Sequence, residues 1–144
     1  MKYVFLIAIT TLVLAAAAFA QDEINPIDKK LNACLAVTKG NMPRAECYST
    51  AAEAWEKDIA TSYAALIKKL TALGADSAGL KKDIQQAQAA WEKYRDAQFQ
   101  VFWDEYGKKK GTGYIIPRIT MRIDVMKPRA IELENELSLY SDRE

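Results

Sequence analysis

Apolar residues recur every three or four positions along three long stretches of this chain, and that period admits helix and little else. Cys47, Ala51, Trp55, Ile59, Tyr63, Leu66, Leu70 and Leu73 share one helical face that runs as far as Gly74. Leu80, Ile84, Ala87, Trp91, Tyr94, Gln98, Val101 and Phe102 continue the rhythm to Gly107. Ile116, Ile119, Ile123, Met126, Ala130, Leu133, Leu137 and Tyr140 then follow an almost perfect heptad spacing. Pro128 falls inside this last stretch, where the missing N–H is expected to bend or interrupt the helix. Beyond residue 20, no strand-length window alternates apolar and polar residues between turn residues.

Local signals set the boundaries. Asn25-Pro26 reads as an N-cap followed by proline at the first helical position. It opens a short helix with Leu31, Cys34, Leu35 and Thr38 on one face, ending at Gly40-Asn41. Pro43 is expected to begin the second helix in the same way, and Asp76 or Ser77 to cap the third. The stretch GKKKGTG, residues 107–113, is a polar break. The predicted fold is all-α: an antiparallel bundle of three long helices plus a short N-terminal helix. The two central helices, joined by a short loop at 74–77, are expected to pack together, with the last folding back along them.

The first twenty residues, MKYVFLIAITTLVLAAAAFA, combine one cation at Lys2, an apolar run and Ala18-Phe19-Ala20 before polar Gln21. That is the layout of a cleavable export signal with an A-x-A site. The expected organisation is a signal peptide over 1–20 and one domain over 21–144, periplasmic or secreted and without a stable membrane anchor after cleavage. Cleavage removes one of 20 Lys+Arg and none of 19 Asp+Glu, so the mature domain has a formal charge of zero. A neutral surface argues against nucleic acid as the partner, since phosphate neutralisation requires a basic excess. Cys34 and Cys47, the only cysteines, lie in the exported part and are expected to form a structural disulfide linking the short helix to the second. A redox-active pair would favour the tighter C-x-x-C spacing.

Catalysis finds little to work with. The chain has no histidine, the commonest general base and transition-metal ligand, and crosslinked thiols leave no cysteine nucleophile. No glycine-rich phosphate loop follows a strand. The expectation is a non-enzymatic protein with no cofactor and no metal site. Trp55, Tyr63, Trp91 and Tyr94 fall on helical spacing and read as core aromatics. Trp103 and Tyr106, beyond the stripe, are candidates for a binding contact together with Lys108, Lys109 and Lys110. Arg95, four residues after Trp91 at the flank of the stripe, needs an acid, and Asp58 or Glu56 on the second helix is the expected partner.

The stretch QQAQAAWEKYRDAQF, residues 85–99, is similar to the hallmark "aQ-x-aW-x-x-(F/Y)-R-D-A" of the LprI-like exported domains, whose namesake is a lysozyme inhibitor. DIATSYAALIKKL resembles the family's "e-L-N-x-x-Y-x-x-L-x-x-x-L", and PRAIELENEL its closing "R-A-x-x-L". The resemblance assigns family positions to Cys34, Cys47, Ile59, Tyr63, Gln88, Trp91, Tyr94, Arg95, Asp96, Arg129 and Leu133. Ala60 stands where the family often has asparagine, and Phe99 where many members have a further cysteine, so the second crosslink of relatives is absent. The resemblance implies an envelope protein that binds another protein, a lysozyme-type enzyme among the candidates, from the loops at 39–43 or 107–114. The alternative is a structural or stress-related envelope module that binds peptidoglycan fragments or a small ligand through Trp103, Tyr106 and the lysine loop.

Overall fold

The computed structural model describes residues 24–141, which form four α-helices: α1 (Pro26–Val37), α2 (Asn41–Ala72), α3 (Ala78–Phe102) and α4 (Ile115–Ser141). No strand occurs among the described residues. The export signal expected over 1–20 lies outside them.

Helix α1 starts as its sequence requires: the Asn25 carboxamide oxygen accepts from the Ile27 N–H at 2.8 Å, with Pro26 at the first helical position. Helix α2 begins two residues before Pro43, because Gly40 takes a positive φ of 88°, open to glycine, and turns the chain straight into Asn41. The segment expected as a loop at 39–43 is therefore largely the first turn of α2. A 3₁₀ turn over Gly74–Ser77 reverses the chain into α3. Ser77 supplies no side-chain cap to α3; its hydroxyl instead donates back to the Leu70 and Gly74 carbonyls, closing the end of α2.

Successive helices reverse direction, so α2 and α4 run the same way, and the dense packing lies between these two. Trp55, Ile59, Leu66 and Leu70 from α2 interdigitate with Ile119, Ile123, Met126, Ala130 and Leu133 from α4. Burying each of the large side chains is worth roughly 2 kcal/mol, so this seam is the main source of stability. The heptad expected of α4 is the one it buries, with Ile116, Leu137 and Tyr140 half-buried at its margins. Pro128 does not interrupt α4, which is continuous through it.

Helix α3 departs from expectation in two ways. It packs lightly on both neighbours rather than forming the central pair with α2. Its inward face is also rotated: Ile84 and Gln88 are buried and Trp91, Arg95 and Phe99 half-buried, while Leu80, Ala87, Tyr94 and Val101 face solvent. Tyr94 is 54% exposed and does not fill the core.

Helix α1 is held at both ends. The Cys34–Cys47 disulfide joins it to α2 across 13 residues of sequence. Near its start, Lys127 Nζ on α4 donates to Asp28 Oδ2 at 2.6 Å, over the ring of Trp55. None of its residues is fully buried, so these ties matter to its position. Replacing Cys34 and Cys47 together by serine is expected to lower stability by about 3 kcal/mol, as loop-closure entropy predicts for a crosslink of this span. Chemical denaturation of the oxidised protein and the double variant measures it.

Across the α2–α4 seam, Asp58 and Glu134 face each other. Partial burial, then the Asp58 charge, then a hydrogen bond that requires a proton push the Glu134 carboxyl above the ordinary carboxylate range. Folded protein thus holds this proton more tightly than unfolded chain, and the pair's contribution to stability falls as pH rises through that window. Glu134→Gln is expected to stabilise the protein at neutral pH by about 0.5 kcal/mol or less, the scale of a screened surface pair. That gain should shrink on acidification; melting curves of both proteins from neutral to mildly acidic pH check the sign.

Candidate functional site

A buried guanidinium joins α3 to α4. Arg129 on α4 is 6% exposed, and its Nε and Nη2 both donate to Gln88 Oε1 on α3, at 3.1 and 3.0 Å. Its Nη1 donates to Glu132 Oε2 at 2.8 Å, and the Gln88 amide in turn donates to Glu92 Oε1 at 3.1 Å. The buried charge is therefore paired and bonded along both edges, as burial of an arginine requires. Alanine at 88 would leave two of those N–H groups without their acceptor.

Arg95 does not reach α2. Its Nε and Nη2 donate to Asp96 Oδ1, the adjacent side chain, at 2.9 and 2.8 Å, and its guanidinium lies 5.4 Å from the Trp91 ring. The expected bridge to Asp58 or Glu56 is thus absent: Asp58 faces Glu134, and the helix pairing is carried by Gln88 and Arg129. Tyr63 also stands apart, half-buried against the core on α2.

Beside this polar clamp, a groove of about 460 Å³ opens between α3 and α4. Trp91, Tyr94 and Phe102 wall it on one side and Met121, Val125 and Pro128 on the other, with Asp124, Arg129 and Glu132 as its polar groups. Three family positions, Trp91, Tyr94 and Arg129, therefore meet at one surface. Pro128 cannot donate to the Asp124 carbonyl, so one backbone acceptor on this face lacks its helical partner. Nothing in the sequence marks Met121, Asp124 or Pro128 as site residues: Met121 and Asp124 lie off the heptad stripe, and Pro128 reads only as a helix breaker.

The second cluster lies at the end of the bundle where α3 gives way to α4. Residues Trp103–Gly107 form a π-helical turn, and a Cβ at Gly107 would overlap the Trp103 indole, so glycine is required for that ring to lie against the backbone. Trp103 is 49% exposed, with Arg118 over its ring at 5.2 Å. Tyr106 and Tyr114 stand 6.4 Å apart, and Lys109 Nζ sits over both rings at 5.0 and 5.2 Å. Lys108 pairs with Asp104, whose carboxyl is held below its ordinary value by hydrogen bonds from Lys108 and Gln100. Tyr106 is pushed up by its hydrogen bond with Glu105. The lysine run is thus no free cationic patch: Lys108 and Lys109 are engaged, and Lys110 is exposed. Tyr114 and Arg118 complete the cluster and were missed because they lie across the glycine break from the residues they touch.

The span of these features coincides with a known family. The model of the lysozyme inhibitor LprI family matches residues 34–133, from the first disulfide cysteine to the buried Leu133. This chain belongs to the LprI family. No curated protein and no solved structure matches it. The LprI span contains the disulfide, the Gln88–Arg129 clamp and both surface clusters.

Gln88→Ala is expected to lower stability by about 2 kcal/mol, the cost of leaving a buried charged donor unsatisfied. Arg95→Ala is expected to cost less than about 1 kcal/mol, because it loses one partly exposed ring contact and one surface ion pair. Urea unfolding of the two variants ranks them; a larger loss for Arg95→Ala would contradict the clamp.

Proposed function

We propose that this protein is an exported, non-enzymatic module of a bacterial envelope that binds a lysozyme-type enzyme and inhibits it. The family match carries the reading. The sequence supports it: the chain has no histidine, and both cysteines are crosslinked. The disulfide suits an oxidising compartment, and no described helix is long and apolar enough to cross a membrane. Cleavage of the export signal after Ala20 completes this reading.

The inhibitory surface is the Trp103–Arg118 end of the bundle. Glycoside cleavage uses a pair of carboxylates in a saccharide cleft. A tip that carries Lys109, Lys110 and Arg118 among exposed aromatic rings has the charge to meet such a pair and the apolar area to fill a cleft shaped for sugar rings. The Trp103 ring already lies against Gly107 and the Tyr106 and Tyr114 rings against each other, which reduces the side-chain freedom left to lose on binding.

A second reading, binding of peptidoglycan fragments, draws on the same tip. Tyr106, Lys109, Thr112, Tyr114 and Arg118 line a cleft of about 320 Å³. Aromatic faces and cations suit a sugar that bears a carboxylate.

Lysozyme turnover of cell walls, measured with and without the purified mature protein, tests the first reading. Inhibition at micromolar protein, weakened roughly tenfold by Lys109→Glu through the loss of one charge-assisted contact, is the expected result. No inhibition of several lysozyme types, with co-sedimentation on intact cell walls, would favour the second. A mature mass that starts at Gln21 and is lighter by the two hydrogens of a disulfide would support export.

A further inference from the structure

The α3–α4 groove is a separate surface from the loop tip, and its chemistry is one-sided. We infer that it is a receptor for an arginine side chain presented by a protein partner. This rests on the reading that the partner is a protein, and adds which side chain it offers and where.

Three observations converge. The groove has no uncommitted cation: Arg129, the one cation in its lining, is bonded to Gln88 and Glu132, whereas the Asp124 carboxylate makes no hydrogen bond or ion pair with another described side chain. The Glu132 carboxylate is itself taken up by Arg129, which leaves Asp124 as the uncompensated charge of the groove, and Pro128 deprives the Asp124 carbonyl of its helical donor. A planar guanidinium with five N–H groups fits such a set of acceptors better than a single-point ammonium does.

The walls match as well. The protein already lays its own arginines on aromatic faces three times, Arg95 on Trp91, Arg118 on Trp103 and Arg122 on Phe99. Tyr94, 54% exposed, has no cation over its ring, and it borders the same groove as Asp124. A guanidinium stacked on Tyr94 and bonded to Asp124 would complete a fourth pair. Finally, the groove lies beside the tip. Phe102 in its wall directly precedes Trp103, and Met121 lies one helical turn after Arg118, so a partner seated on the tip has the groove within reach.

The test uses the full mature protein, ¹⁵N-labelled, titrated with an arginine peptide amide, its citrulline counterpart of equal shape without charge, and a chitooligosaccharide. The arginine peptide is expected to give saturable shifts confined to the Trp91 indole and the amides around Tyr94 and Asp124. The citrulline peptide should give none. Asp124→Asn should weaken the arginine response about tenfold, consistent with the loss of one charge-assisted hydrogen bond, and Tyr94→Ala should remove its stacking component. Both positions are exposed, so unchanged melting temperatures confirm that the fold is kept. Absence of shifts with arginine, equal shifts with citrulline, or a response to the saccharide alone at these residues overturns the inference. Because this assay contains no lysozyme, its outcome is independent of whether lysozyme is inhibited.

Discussion

A guanidinium buried to 6% exposure cannot be left unpaired, and Arg129 therefore decides where α3 sits. Apolar burial alone would leave that helix poorly specified, since Ile84 and Gln88 are its only fully buried side chains among the described residues. The Gln88 side-chain amide oxygen, taking two N–H groups from one edge of Arg129, fixes both the rotation of α3 and its height along α4. A hydrophobic contact tolerates sliding; a two-point hydrogen bond to a buried charge does not. The groove with Trp91 and Tyr94 on its wall is a consequence of that rotation.

The rest of the scaffold makes such a light attachment sufficient. Helices α2 and α4 share a seam in which Trp55, Leu66, Leu70, Met126 and Leu133 are removed from water almost entirely. Against that rigid pair, α1 is tied by a covalent bond at one end and by Asp28–Lys127 at the other. The division is of use to a binding protein: a stiff two-helix spine presents surface features on a third helix and its following turn, and those features can vary without loss of the core.

The sequence carried the helices, the crosslink and the faces of α2 and α4, because those faces are long, apolar and strictly periodic. It misled on α3. Leu80, Ala87, Tyr94 and Val101 sit seven residues apart and look like a core stripe, yet all four face solvent. The true inward face runs through Gln88 and Arg95, residues that periodicity alone scores as outward. What turns the helix is a partner 41 residues away, and the family positions of Gln88 and Arg129 marked both ends of that bond without pairing them. Arg95 misled for a related reason: its charge was sought across the interface, although Asp96 beside it satisfies the guanidinium without any interhelix geometry. The loop cluster was half visible, Trp103 and Tyr106 before the glycine break, with Tyr114 and Arg118 hidden beyond it.

Pro128 shows how these levels join. Within a heptad helix it removes a backbone donor and has no local benefit. Here α4 continues through it, because the residues on either side are locked: Met126 and Ala130 into the seam, Arg129 into the clamp. Tertiary packing holds the helix where its own hydrogen bonding is weakest. The carbonyl that loses its partner belongs to Asp124, whose carboxylate is likewise without a partner among the described side chains, and both residues border the groove. A scaffold strong enough to absorb a missing bond can keep unspent hydrogen-bonding capacity at its surface, and that capacity is what a partner's side chain can use.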